Sequence, residues 1–187
     1  RDRYEFINMQ YEDLVTARDS LNELLQETEK IMNKDFGDFM QLADQSFTET
    51  FQNIFGGGEA CLKLERGKER LQSGIDIEVK LPGKKSQALN LLSGGERALT
   101  CIAFIFALLR LKPAPFCILD EIDAALDNVN AHNVALLISE MSKNSQFVVV
   151  SLRDTTVRKA DLLVGVSNQD GISRIVSVDL EEVGASA

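Results

Sequence analysis

The sequence has no tryptophan, a single histidine (His132) and only three prolines in 187 residues. Its three cysteines, Cys61, Cys101 and Cys117, stand far apart, and no CxxC pair occurs. They read as reduced core thiols of a cytosolic protein, and one histidine cannot build a zinc site with them. Long apolar runs are missing as well. The longest, Ala98 to Leu111, is broken by Thr100 and Arg110 and is too short to span a bilayer. The opening Arg-Asp-Arg-Tyr-Glu leads into no apolar h-region, so no signal peptide is expected. Basic excess is absent too: 20 Lys and Arg stand against 29 Asp and Glu, a net charge of −9. A protein that coats nucleic acid through its overall charge is basic, so any DNA contact here is local or shared with a partner.

What is present describes an ordinary globular chain. Apolar residues make up 44% and charged residues 26%, which excludes wholesale disorder and leaves room for one domain or two small ones. Residues 1 to about 35 predict a helix: Tyr4, Ile7, Tyr11, Leu14, Leu21 and Leu25 follow a 3-4 spacing, and no Gly or Pro intervenes before Gly37. In heptad terms Arg18 and Thr28 fall on the seam, so the stripe fits either an amphipathic helix on a globular core or a coiled coil entered partway. The helical pattern continues through Phe39, Phe47, Phe51 and Phe55 to Gly56-Gly57-Gly58.

Beyond the glycines, Cys61–Glu65 and Ile75–Leu81 alternate with the period of half-exposed strands, and Pro82-Gly83 follows as a turn. Glu96 to Leu111 is helical and apolar nearly all round, as in a helix buried in a core. Phe116–Leu119 and Phe147–Val150 are continuous apolar runs with an amphipathic helix, Val129 to Met141, between them. Such runs predict strands buried on both faces, joined by crossover helices in an α/β layered sheet. Leu162–Val166 and Ile172–Val178 add two strand candidates.

Two features carry chemistry. Leu92-Ser93-Gly94-Gly95-Glu96 stands just ahead of the apolar helix. Serine is a good N-cap, and glycines let an anion approach bare backbone N–H groups where the helix end carries partial positive charge. Alone, it is also what a capped helix with a flexible entry looks like. The second feature is Phe116-Cys117-Ile118-Leu119-Asp120-Glu121, a strand that delivers two carboxylates to the carboxyl edge of a sheet. Hard oxygen ligands there suit Mg²⁺ with a nucleotide phosphate, one holding the metal while the other orients or deprotonates a water.

Taken together, Ser-Gly-Gly-Glu, an apolar helix, the Pro113 and Pro115 turn, Asp120-Glu121 and Ala125-Leu126-Asp127 resemble the ABC-type ATPases. More narrowly, the order resembles the C-terminal half of an SMC-family head of prokaryotic type. The run Glu121 to Asp127 and the lead-in Phe55 to Gly58 and Pro82 to Lys85 are similar to that family, and transporters usually carry Pro and Thr after the Glu. The resemblance implies an α/β fold: residues 1–35 as a coiled-coil stub and 36–187 as the C-terminal lobe of an ABC-type head.

It implies ATP and Mg²⁺ as cofactors. Asp120 would hold Mg²⁺ through water, and Glu121 would be the general base. Ser93, Gly94, Gly95 and Glu96 would form the signature loop that meets the γ-phosphate held by a second head. Asp127 would be the D-loop residue at the dimer seam. The P-loop such an ATPase needs does not appear: Gly83-Lys84-Lys85-Ser86 lacks the glycine five positions earlier, and Gly56-Gly57-Gly58 has no Lys-Ser/Thr behind it. Both read as turns; the resemblance implies that the P-loop comes from the N-terminal half of the head and that the chain alone is inactive.

One position departs from the broad ABC pattern. Leu152 stands where a switch histidine is expected after Phe147–Val150, and leucine cannot hydrogen-bond a phosphate. His132 reads as an exposed surface residue rather than its substitute. The remaining implied partners are a second SMC head, giving a homodimer, a kleisin-type subunit and DNA, with no membrane, in a cytoplasmic, nucleoid-associated setting. ATP-driven head engagement and hydrolysis would serve DNA tethering, chromosome condensation and segregation. The alternatives are the head half of a coiled-coil DNA-repair ABC ATPase and a non-hydrolysing scaffold. Lys63, Arg66, Lys68 and Arg70, with Lys80, Lys84 and Lys85, read as a solvated face, since Glu65 and Glu69 interleave with the first group; a local phosphate-contact patch is the other reading.

Overall fold

The computed structural model describes residues 1–65, 73–169 and 171–179. The chain divides into two compact units, one of Arg1–Leu42 and Lys63–Asp76, the other of Ala43–Leu62 and the residues from Ile77 onward. The basic residues Arg66, Lys68 and Arg70 lie outside the described residues.

A single helix, α1 (Asp2–Phe55), runs through Gly37 without a break. In the first unit its apolar stripe is bare: Tyr4, Ile7, Tyr11, Leu14, Leu21 and Leu25 are all exposed. It is therefore not the buried face of a helix on a core, and of the two readings of the stripe the coiled-coil stub stands. Thr16, Ser20 and Thr28 turn their hydroxyls back onto carbonyls four residues earlier.

The second unit holds the core. From Ala43 onward α1 buries Ser46, Phe47, Thr50, Phe51 and Ile54. Phe47 meets Phe51 and Phe104 edge to face at 6.2 and 5.5 Å, and Phe51 stacks on Phe55 at 4.2 Å. Such ring pairs add about 0.5–1.5 kcal/mol each beyond their buried area. Ser46 Oγ donates to the Ala107 carbonyl at 3.0 Å, fixing the depth of the contact. The helix ends where expected. Gly56, Gly57 and Gly58 all have positive φ, and a Cβ at Gly58 would come within 2.5 Å of the Lys80 carbonyl. Asn133 Nδ2 caps the freed Ile54 carbonyl at 3.0 Å.

Strands β1 (Glu59–Leu64), β2 (Ile75–Lys80) and β3 (Gln87–Ala88) follow in the order β1-β2-β3, with β3 antiparallel to β2. Gly83, at φ 73°, makes the turn between β2 and β3, as the Pro-Gly pair predicts. After a short 3-10 turn (Leu89–Leu91) come α2 (Gly94–Leu111), β4 (Phe116–Asp120), α3 (Asn128–Met141) and β5 (Gln146–Val150). β4 and β5 pair in parallel, Phe116 opposite Gln146 through Asp120 opposite Val150, so β4-α3-β5 is a crossover unit. A short helix α4 (Asp154–Val157) leads to an antiparallel hairpin of β6 (Leu162–Gln169) and β7 (Ile172–Asp179).

Two expectations change. The fold is mixed α/β as read, but among the described residues its strands form three small sheets rather than one. β4 and β5 are also covered on one face only: Cys117, Leu119, Phe147 and Val149 turn inward, while Phe116, Ile118, Val148 and Val150 are exposed. The continuous apolar runs marked apolar residues on both faces, and this chain supplies cover for one. The cysteines, expected in the core, are each half-buried.

Candidate functional site

Ser93 is the N-cap of α2, in extended conformation at φ −62° and ψ 161°. Glu96, one turn in, reaches back: its Oε2 accepts from the Ser93 backbone N–H at 3.2 Å and from the Ser93 hydroxyl at 2.8 Å. Lys84 Nζ donates to its Oε1 at 2.6 Å. These contacts, the lysine foremost, hold the Glu96 carboxyl below the usual carboxylate range. The S-x-x-E spacing of a capping box is the sequence signal for this arrangement. Ser93 and Gly94 are exposed at the helix mouth, and a Cβ at Gly94 would meet nothing within 4 Å. Gly95 differs: its Cβ would lie 3.3 Å from the Ala125 carbonyl oxygen. The loop that opens α2 is thus seated against the loop that follows β4.

Asp120 and Glu121 leave the carboxyl end of β4 exposed, as the strand reading predicts. Glu121 has φ 47°, the one non-glycine residue with positive φ among those described. Its N–H is held by the Val150 carbonyl at 2.9 Å, which extends the β4–β5 ladder into the turn. Residues in this region of backbone space cost about 1–3 kcal/mol and gather where a side chain must be aimed. Asp127 ends the loop as the N-cap of α3, its Oδ1 accepting from the Asn130 N–H and its Oδ2 from the Asn130 side chain, both at 2.8 Å.

Between these ends lies a network that the sequence pattern does not announce. Asp123, 3% exposed, accepts at one oxygen from Ser151 Oγ (2.7 Å) and Thr156 Oγ1 (2.6 Å). Ser151 Oγ in turn accepts from the Arg153 N–H at 3.0 Å. The Arg153 guanidinium donates to the Leu126 carbonyl, to the Ala124 carbonyl at 3.4 Å and to Asn128 Oδ1 at 3.1 Å. Glu121, Asp123, Ala124, Leu152 and Arg153 line a cavity of ≈ 320 Å³. Leu152, at the expected switch position, is 92% exposed between the anchored Ser151 and Arg153. His132 is exposed, as expected. Lys80 pairs with Glu59 at 2.9 Å and Lys84 with Glu96 at 2.6 Å, which favours the solvated-face reading of those lysines.

Among the described residues, no group of three or more His, Cys, Asp and Glu gathers to hold a metal ion. Mg²⁺ takes one or two protein carboxylates, with phosphate oxygens and water completing its shell. The donor pair Asp120 and Glu121 fits that pattern and would not suit an all-protein cage. No described helix is long and apolar enough to cross a membrane.

A capped helix mouth, a strand delivering paired carboxylates and a capped loop between them define the class: an α/β lobe preceded by a long helix. A family model described as the RecF/RecN/SMC N terminal domain matches residues 7–174. The chromosome partition protein Smc of Bacillus subtilis (strain 168) is 44% identical over 182 residues, 97% of this chain and 15% of that protein. An Smc head domain with an extended coiled coil, from Pyrococcus furiosus and bound to the C-terminal domain of ScpA, superposes with a TM-score of 0.85 at 41% identity. That match covers 98% of this chain and 46% of that one. A chain from the structural biochemistry of ATP-driven dimerization and DNA-stimulated activation of SMC ATPases matches at 42% identity and TM-score 0.73, over 82% of this chain and 94% of that one. The chain belongs to the RecF/RecN/SMC family and is a fragment of an SMC head domain. It spans about 15% of the length of the curated relatives it matches.

Proposed function

We propose that this chain is the C-terminal half of an SMC ATPase head, completing one ATP site with the P-loop half of its own head and another with a second head. The observation that carries the reading is the seating of Gly95 on Ala125, which joins the Ser93–Glu96 loop to the loop after Asp120-Glu121 in one lobe. The bare outer face of β4–β5, with Phe116, Ile118, Val148 and Val150, supports a P-loop half packed there. The order of elements agrees with it, since the long helix precedes the lobe and no P-loop sequence occurs.

The roles follow from position. Asp120 would hold Mg²⁺ through water, and the ion would neutralise charge on the phosphates. Glu121, held by its backbone N–H and aimed by its left-handed turn, is the general base for the attacking water. Ser93 and the Gly94 and Gly95 N–H groups face outward from a helix N-terminus, suited to a γ-phosphate held by the opposing head. Ser93 exchanges its hydroxyl contact from Glu96 to the phosphate, while its N–H stays on Glu96. Donors of this kind act on charge that develops in the transition state, and removing one costs about 10²–10³ in rate.

ATP-driven engagement of two such heads would serve chromosome partition, with DNA as the tethered substrate, in the cytoplasm at the nucleoid. A kleisin-type subunit would dock on this lobe; ScpA is bound to the Pyrococcus furiosus relative. The exposed Val164, Val166 and Ile175 of the β6–β7 hairpin offer it an apolar surface.

Turnover of ATP tests the reading. The chain mixed with its P-loop half hydrolyses ATP, the chain alone does not, and a Glu121→Gln mixture accumulates ATP-bound dimers without turnover. A reconstituted pair that binds ATP and never hydrolyses it contradicts the assignment.

A further inference from the structure

We propose that Arg153 is a positioning residue that locks the Ala124–Asn128 segment to the loop after β5, so that the arm bearing Glu121 and Asp127 moves as one body with the position where a switch histidine is missing. The inference rests on the ATPase reading above and assigns a role that the Leu152 position left open. The guanidinium has the fork geometry to hold several oxygens at once, and it uses it. Two backbone carbonyls, Ala124 and Leu126, and the Asn128 side chain all accept from it. All three acceptors are neutral, so the cation is committed to shaping backbone rather than to pairing a carboxylate.

A second tie holds the same loop. The buried Asp123 carboxylate gathers Ser151 and Thr156, and Ser151 holds the Arg153 N–H. The residues on both sides of Leu152 are therefore anchored to the loop that starts at Glu121. The Ala125 carbonyl, which the Gly95 position abuts, lies between the two carbonyls that Arg153 holds. Displacing the guanidinium thus releases the seat of the Ser93–Glu96 loop and the N-cap aspartate together. A leucine cannot sense a phosphate, but a loop fastened at both neighbours of that leucine transmits a displacement without a hydrogen bond from it.

The test uses the reconstituted head with Arg153→Ala, Arg153→Lys and, as reference, Glu121→Gln. Backbone hydrogen exchange at residues 122–127 rises in Arg153→Ala and partly recovers in Arg153→Lys, whose single ammonium replaces one contact rather than three. Turnover falls by on the order of 10²-fold in Arg153→Ala, the scale of a small misplacement of reacting groups. The ATP concentration giving half-maximal rate stays put, because the P-loop half holds the nucleotide. In a double variant with Asp127→Ala the losses do not add, as expected of residues acting through one loop. Unchanged exchange overturns the clamp, and raised exchange with wild-type turnover overturns its positioning role. If the wild-type head fails to hydrolyse ATP, or Glu121→Gln matches it, the ATPase reading falls and the positioning role with it, while exchange still decides whether the clamp exists.

Discussion

At the scale of single residues, the helix mouth separates two kinds of glycine. Gly94 sits in helical conformation with open space where a Cβ would go, so nothing inside the chain requires glycine there. Gly95 has the Ala125 carbonyl 3.3 Å from the corresponding point, so its smallness is a packing need. Glu96 lends itself to a pH measurement. Its folded-state pKa lies below the ordinary 4.5, first because Lys84 donates to it and then because Ser93 does. A lowered carboxylate pKa means stabilisation that is complete above the ordinary range and is lost as pH falls through the lowered value. The melting temperature of Glu96→Gln should therefore lie below wild type at neutral pH, with the gap closing as the pH drops below about 4.5. A gap of constant size down to strongly acid pH contradicts this account of the cap.

At the scale of elements, the half-covered β4–β5 pair is the feature with most consequence. Its exposed apolar side chains are not needed to hold this lobe together, because the inner residues Leu119, Phe147 and Val149 pack against the core, Phe147 stacking on Phe106 of α2. Ile118→Glu should leave the lobe folded, with stability within about 0.5 kcal/mol of wild type as for an ordinary surface change. It should also abolish association with the P-loop half, read by co-purification. Loss of folding, or unimpaired association, would show that the face does something else. The same strands mark where reading the sequence reached its limit. Periodicity located α2, α3 and the strands β1, β2, β4, β5, β6 and β7 to within a few residues, because these are uninterrupted signals. It missed the two-residue β3 and the four-residue α4, which are too short to show a period. It could not say that Phe116 and Ile118 face outward while Leu119 faces inward, since a continuous run is the same text whether its second cover comes from this chain or another. The helix stripe Tyr4 to Leu25 had that ambiguity too, and its exposure resolved it.

For the molecule as a whole, the residues named from motifs proved easier to read than those that hold them in place. Ser93, Asp120, Glu121 and Asp127 stand at element ends where local patterns are strong, whereas Asp123, Ser151, Arg153 and Thr156 meet across 28 to 33 positions of sequence, a distance over which no local pattern speaks. What the lobe presents is two half-sites, a helix mouth and a strand end with its paired carboxylates, and the central claim is that they serve different nucleotides. Mixing distinguishes this from a single self-contained site. Gly94→Gln blocks the helix mouth without disturbing packing, and Glu121→Gln removes the base, so reconstituted heads of either kind alone should be inactive. If the two half-sites work across heads, mixing equal amounts restores one intact site in each hybrid dimer, and turnover returns to about a quarter of wild type for random pairing of a symmetric dimer. If the mixture stays as inactive as its components while hybrid dimers form, the helix mouth and the carboxylates act on the same nucleotide and the account is wrong.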